Sequence, residues 1–153
     1  MPFPGYMDVW DPRSPPTSAR TVKVAITTRV VNLQWGDYAL EGHEGGVIIE
    51  RKKNLDELYK NLCTRQGRRR FLAELDALGK VCRFPYVMLE GDPLEMNGSI
   101  RYAKGANPVV VRDALLRCCM EARVTLLMMP CSSVSARRAF GGWAASLLIS
   151  GQL

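Results

Sequence analysis

The sequence predicts an α/β protein: a mixed β-sheet flanked by helices. Strand-length runs rich in β-branched and apolar residues recur at 22–33, 47–49, 86–89 and 124–129. Segments with apolar residues at helical spacing follow the second, third and fourth of these runs. The glycine-bearing stretch EGHEGG, residues 41–46, suits a hairpin between the first two. A strand hairpin, helices, strand, helix, strand, helix is the order of an α/β fold with a mixed sheet.

Taken in order, residues 1–21 carry Pro2, Pro4, Pro12, Pro15 and Pro16 and read as an extended or irregular arm, with residues 22–153 as a single domain. Strands are expected at about 22–40 and 47–52. Asn54 with Glu57 three residues on resembles a capping box, and Leu55, Leu58, Tyr59, Leu62 and Cys63 fall on one face of a helix running to about residue 66. Gly67 breaks that pattern. Phe71, Leu72, Leu75 and Leu78 then mark a second short helix, with Gly79 as its C-terminal cap. A buried strand at 86–89 leads into a polar loop at 91–107 and a helix at 110–122 with Ala114, Leu115, Cys118 and Cys119 inward. A buried strand at 124–129 and a helix at 133–149, formed despite Gly141 and Gly142, complete the chain.

Composition narrows the function. At 153 residues and 47% hydrophobic content the chain has the size of one domain with a sizeable core. No apolar run approaches the roughly 20 residues that span a bilayer, and the start is not a signal peptide, so a soluble intracellular protein with no membrane partner is expected. Five cysteines without CxxC spacing and a single histidine, His43, leave few soft ligands for zinc, and the cysteines read as reduced packing thiols. The net charge of +6 and pI near 9.3 favour a polyanionic partner.

The chemistry is written in the hairpin. With the loop at 41–46, Leu40 pairs with Val47 and Asp37 falls opposite Glu50, which brings their Cβ atoms to about 4.5–5.5 Å. Two carboxylates that close call for a cation between them, and hard divalent ions are held by one or two carboxylates plus waters. Strand alternation sets Lys52 on the face of Glu50 and turns Arg51 to the other. Two acids holding an ion that activates water, beside a lysine that positions that water or offsets charge on a phosphate, suit metal-assisted phosphodiester hydrolysis. The plainer alternative is a solvated hairpin end in which Lys52 pairs with an acid.

At these residues the sequence resembles the XPF-type nucleases, a branch of the PD-(D/E)xK superfamily whose signature is GD, a variable gap, then ERKxxxD: Gly36-Asp37, Glu50-Arg51-Lys52 and Asp56. The Arg70-Phe71 pair and the strand ending in Glu90-Gly91 extend the likeness over about residues 22–150. The resemblance implies a restriction-endonuclease-like sheet flanked by helices in a stand-alone nuclease domain, without a helix-hairpin-helix module. It implies Asp37 and Glu50 as ligands of Mg2+ or Mn2+, Lys52 as the catalytic lysine, and Arg51 and Asp56 as supporting members. Asp56 also suits a first helical turn on its own account. Where the family has Asp-x-Arg-Glu, this chain has Asp11-Pro12-Arg13-Ser14, lacking the Glu; Asp11, with Asp8, is an additional metal ligand on this reading.

Arg65, Arg68, Arg69 and Arg70 are the candidate contacts to DNA phosphates, with a solvated basic face as the alternative. His43, Glu41 and Glu44 read as loop residues, Trp35 as packing, and Phe140 with Trp143 as either core or the surface of a homodimer. The expected function is a structure-selective DNA endonuclease acting on branched, flap or junction DNA in repair or recombination and leaving a 5′ phosphate and a 3′ hydroxyl. A Holliday-junction resolvase and a catalytically silent DNA-binding or scaffolding subunit stand as alternatives.

Overall fold

The computed structural model describes residues 2–11, 13–15, 17, 20–97 and 107–152. A two-stranded antiparallel sheet of β1 (Tyr6–Trp10) and β2 (Thr21–Ala25) precedes a four-stranded sheet of β3 (Tyr38–Ala39), β4 (Val47–Lys52), β5 (Phe84–Glu90) and β6 (Thr125–Met129), in that spatial order. β3 is antiparallel to β4, and β4, β5 and β6 are parallel, so the sheet is mixed. Helices α1 (Leu55–Cys63), α2 (Arg65–Val81) and α3 (Pro108–Ala122) cover one face and α4 (Val134–Ser150) the other. Among the described residues no helix is long and apolar enough to cross a membrane.

The alternation of β4 sorts the core. Ile48 joins Val87 and Leu89 under α1–α3 with Leu58, Phe71, Leu75 and Leu115, whereas Val47 and Ile49 join Met88 against Phe140, Ala144 and Leu148 of α4. β4 and β5 are covered on both faces, as parallel strands must be, so their apolar segments run unbroken instead of alternating with polar residues. β6 lies at the sheet edge and is only half-buried rather than buried as expected. Cys82, Cys118 and Cys119 pack into the larger cluster, and burial pushes the Cys119 thiol up to about 12. Phe140 is fully buried while Trp143 is exposed, so the pair does not act as one unit.

Three expectations are corrected. The strand expected over 22–40 is two short pieces: β2 stops at Ala25, and β3 begins only at Tyr38, after Gly36 takes a positive φ of 69°. A Cβ on Gly36 would strike Ile48, so this glycine lets the chain close onto β4. α1 ends at Cys63, short of residue 66, because Thr64 is extended and caps α2, its Oγ1 accepting from the Gly67 N–H at 3.0 Å. α2 therefore contains both Gly67 and Gly79: the first lies where a Cβ would meet the Lys60 carbonyl, the second where it would meet the Ala122 carbonyl. Gly79 permits close approach of α2 and α3; it does not cap α2.

The expected arm is partly structured. β1 and β2 close a hairpin, and Phe3 packs edge-on against Tyr38 with ring centroids 5.2 Å apart. The expected capping box forms at α1, Asn54 Oδ1 accepting from the Glu57 N–H at 2.9 Å. Within the polar loop a 3-10 turn spans Glu95–Asn97, and residues 98–106 lie outside the described residues. The turn at 41–46 is tied to the start of β5, where the Arg83 and Phe84 N–H groups donate to the Gly45 and Gly46 carbonyls at 2.9 Å each.

Candidate active site at the end of the central strands

The β3–β4 register is Tyr38↔Ile49 and Ala39↔Ile48; Asp37 comes just before these paired residues, and its charge acts on Glu50. The β4 backbone holds Asp37 from either side of Glu50. Its N–H donates to the Ile49 carbonyl at 2.8 Å, and its Oδ2 accepts from the Arg51 N–H at 2.7 Å. The ladder thus ends with a side-chain oxygen where a backbone carbonyl would otherwise accept, and the Asp37 carboxylate remains exposed.

Lys52 shares the face of Glu50, its Nζ donating to Glu50 Oε1 at 2.6 Å. The lysine is only 4% exposed, lies 5.1 Å from the centre of the Phe71 ring, and has Glu74 Oε2 at 3.9 Å. Glu50 is pushed above its ordinary carboxyl value, first by burial and further by the charges of Asp37 and Glu74, against the opposing pull of Lys52. The spot is therefore rich in negative charge around one ammonium group, and a further cation would be welcome there. Among the described residues no set of three or more His, Cys, Asp or Glu is grouped to hold a metal. Two carboxylates fit a hard ion that keeps several waters, not a soft ion in an all-protein cage.

The other candidates fall in different places. Arg51 points to the α4 face, where its Nε donates to Glu90 Oε1 at 2.5 Å. Asp56 is exposed in the first turn of α1, beside Lys53, Asn54, Glu57 and Lys60. Asp11 is not gathered with Asp37 and Glu50: its carboxylate accepts from Arg13 Nε at 2.9 Å and faces Arg20 Nε at 3.4 Å, and the Arg13 hydrogen bonds hold it below the usual carboxylate range. Asp8 is exposed and paired in register with Lys23 across the β1–β2 hairpin.

Arg65, Arg68, Arg69 and Arg70 lie exposed in the first turns of α2, and Arg70 Nε is 3.8 Å from Glu74 Oε1. That ion pair connects the basic end of the helix to the surroundings of Lys52. His43 is an exposed loop residue. Sequence reasoning passed over Glu74, Tyr38 and the pairing role of Glu90. Glu74 could have been found three residues after Phe71 on one helical face, but the Arg51–Glu90 pair depends on parallel register, which sequence spacing does not set.

A family model for the ERCC4 domain matches residues 14–137, a span that includes Asp37, Glu50, Arg51, Lys52, Asp56, Glu74 and Glu90 and excludes Asp8 and Asp11. Among solved structures, XPF from Aeropyrum pernix matches with a TM-score of 0.56 at 16% identity, over 80% of this chain and 52% of that one. At that identity the likeness is one of fold, and this chain spans about half the length of that protein. No curated protein matches. The matched span and the mixed sheet together place this chain in the ERCC4 domain family, with the fold of an XPF-type nuclease domain.

Proposed function

We propose that the protein is a divalent-metal-dependent endodeoxyribonuclease that hydrolyses phosphodiester bonds in branched, flap or junction DNA. The observation that carries the proposal is the gathering of two acids and a lysine at the end of β4: Asp37 Oδ2 accepts from the Arg51 N–H at 2.7 Å, its charge acts on Glu50, and Lys52 Nζ lies 2.6 Å from Glu50 Oε1. Asp37 and Glu50 would hold Mg2+ or Mn2+; when bound, such an ion lowers the pKa of a coordinated water and polarises a phosphoryl oxygen.

Within the chain, the roles divide by position. The Arg51 N–H orients Asp37. Lys52, kept in place by Phe71 and by the acids Glu50 and Glu74, positions the attacking water and offsets charge that builds on the phosphate. In-line attack on phosphorus then leaves a 5′ phosphate and a 3′ hydroxyl. Asp56, exposed in the first turn of α1, is a supporting acid on the strength of the signature it completes. Arg65, Arg68, Arg69 and Arg70 bind backbone phosphates; such contacts give affinity without sequence preference, as selection by DNA shape requires. The ERCC4 domain match supports a nuclease acting on DNA, and a homodimer is the assembly proposed for it.

The test is incubation of end-labelled flap, four-way junction and linear duplex DNA with Mg2+ or Mn2+, comparing wild type with Asp37→Asn. Cleavage of branched substrates by wild type, reduced more than about 100-fold in the variant, is expected, since loss of even an outer-sphere partner costs about 10–100-fold. Equal cleavage by both proteins would remove the site. Binding of branched DNA without cleavage by either would instead identify a silent DNA-binding subunit.

A further inference from the structure

Arg51 faces two ways. Its main-chain N–H serves the Asp37 carboxylate at 2.7 Å, while its guanidinium passes to the opposite face of the sheet and donates to Glu90 Oε1 at 2.5 Å. The Glu90 side chain is only 8% exposed there, and the charge of the same guanidinium acts on the hydroxyl of Tyr38. Tyr38 is the neighbour of Asp37 in β3 and is covered by the ring of Phe3. One residue of β4 therefore connects the entry to β3 with the end of β5 behind the site.

This tie matters because β3 is so short. Only two residue pairs join it to β4, whereas six join β4 to β5. A two-pair ladder at a sheet edge is marginal and free to fray. Asp37 lies just before β3, so its placement depends on whatever anchors Tyr38. Glu90, near the end of the strand paired with both β4 and β6, is such an anchor.

We infer that Tyr38, Arg51 and Glu90 form a clamp on the α4 face of the sheet that positions Asp37 for metal binding on the other face, which makes Tyr38 and Glu90 positioning residues of the reaction. The inference rests on the nuclease reading above and adds to it two residues that touch neither metal nor DNA. Partners that orient a metal ligand in this way change metal affinity or activity by about 10–100-fold when removed. A plain structural ion pair changes melting temperature and leaves metal affinity of the folded protein alone.

The experiment measures Mn2+ affinity by calorimetry, well below the melting temperature, on wild type, Glu90→Ala, Glu90→Gln and Tyr38→Phe, with kcat and KM for flap DNA alongside. The clamp predicts that Glu90→Ala weakens Mn2+ binding by about 10–100-fold and lowers kcat with KM for DNA unchanged. It predicts that Glu90→Gln, which keeps an acceptor for Arg51, recovers most of both, and that Tyr38→Phe weakens binding by a smaller factor. Unchanged Mn2+ affinity in folded Glu90→Ala overturns it. Should Glu90→Ala not fold, unchanged affinity in Tyr38→Phe, which loses one hydroxyl, overturns it equally. Absence of Mn2+ binding by wild type would overturn the nuclease reading and the clamp together, whereas wild-type binding that the variants share overturns the clamp alone.

Discussion

Replacing Lys52 with Met keeps the length and bulk of the side chain above Phe71 and removes only the charge. The Lys52 side chain is 5% exposed and that of Glu50 14%. A pair so covered belongs with buried ion pairs, where loss of one partner costs about 3–5 kcal/mol, rather than with exposed pairs worth about 0.2–1 kcal/mol. Because burial already raises the Glu50 carboxyl, the abandoned acid can take up a proton, so the lower end, about 3 kcal/mol, is expected. For a chain of this size each kcal/mol shifts Tm by about 2–4 °C, so Lys52→Met should melt about 6–12 °C below wild type by scanning fluorimetry in EDTA.

The sign of the pH dependence follows. The penalty is an unpaired carboxylate in a site that disfavours its charge, so it is largest above the raised Glu50 pKa and fades as pH falls through it. The Tm gap between variant and wild type should therefore narrow towards acid. Cleavage should fall about 100- to 1,000-fold, the usual consequence of losing a preorganised charge at the reacting centre. A gap under about 2 °C would place Lys52 among exposed pairs worth at most about 1 kcal/mol. A gap that acid leaves unchanged would show that Glu50 is not the orphaned partner.

Gly79→Ala should destabilise by about 1–3 kcal/mol in chemical denaturation, because its methyl would meet the Ala122 backbone; helix propensity alone predicts a gain of about 1 kcal/mol, so the sign decides. Asp11 titrates below its ordinary value of 3.8, so its pairs with Arg13 and Arg20 stabilise the fold above that pH and lose their effect as pH falls below it. The Tm difference between wild type and Asp11→Asn should accordingly persist at pH 6 and shrink as pH falls below 3.8, and a difference that stays constant on acidification would refute it. Arg68→Ala and Arg69→Ala should each weaken DNA binding and reduce the slope of log affinity against log salt by about one, measured by fluorescence anisotropy; an unchanged slope would leave them as solvated charges.

That Glu50 and Lys52 share one face of β4 was legible because strand alternation alone sets it. Strand propensity misled between 26 and 37, where β-branched residues continue but the chain bends to enter β3 through Gly36. Propensity there gave way to tertiary closure against Ile48 and Ile49. The two α2 glycines misled because, in one dimension, a glycine that allows two backbones to touch is written the same way as one that ends a helix. Asp11 had the right local letters, yet its two arginine neighbours claim the carboxylate, a competition visible only when Arg20 folds back across the hairpin. Glu74 and Glu90 depend on how a helix and a parallel strand are set against β4, and no local spacing encodes that.

The exposed turn joining the two halves of the site has a practical consequence. Its ends are pinned by β3–β4 pairing and by the carbonyls of Gly45 and Gly46, so the number of residues between Gly42 and Gly45 does not determine which acids meet. Lengthening a flexible connection costs only about 0.6 kcal/mol per doubling. The hairpin tip is thus a natural point for grafting: a fluorophore, an affinity peptide or a DNA-reading segment could be spliced in there while Asp37 and Glu50 keep their alignment.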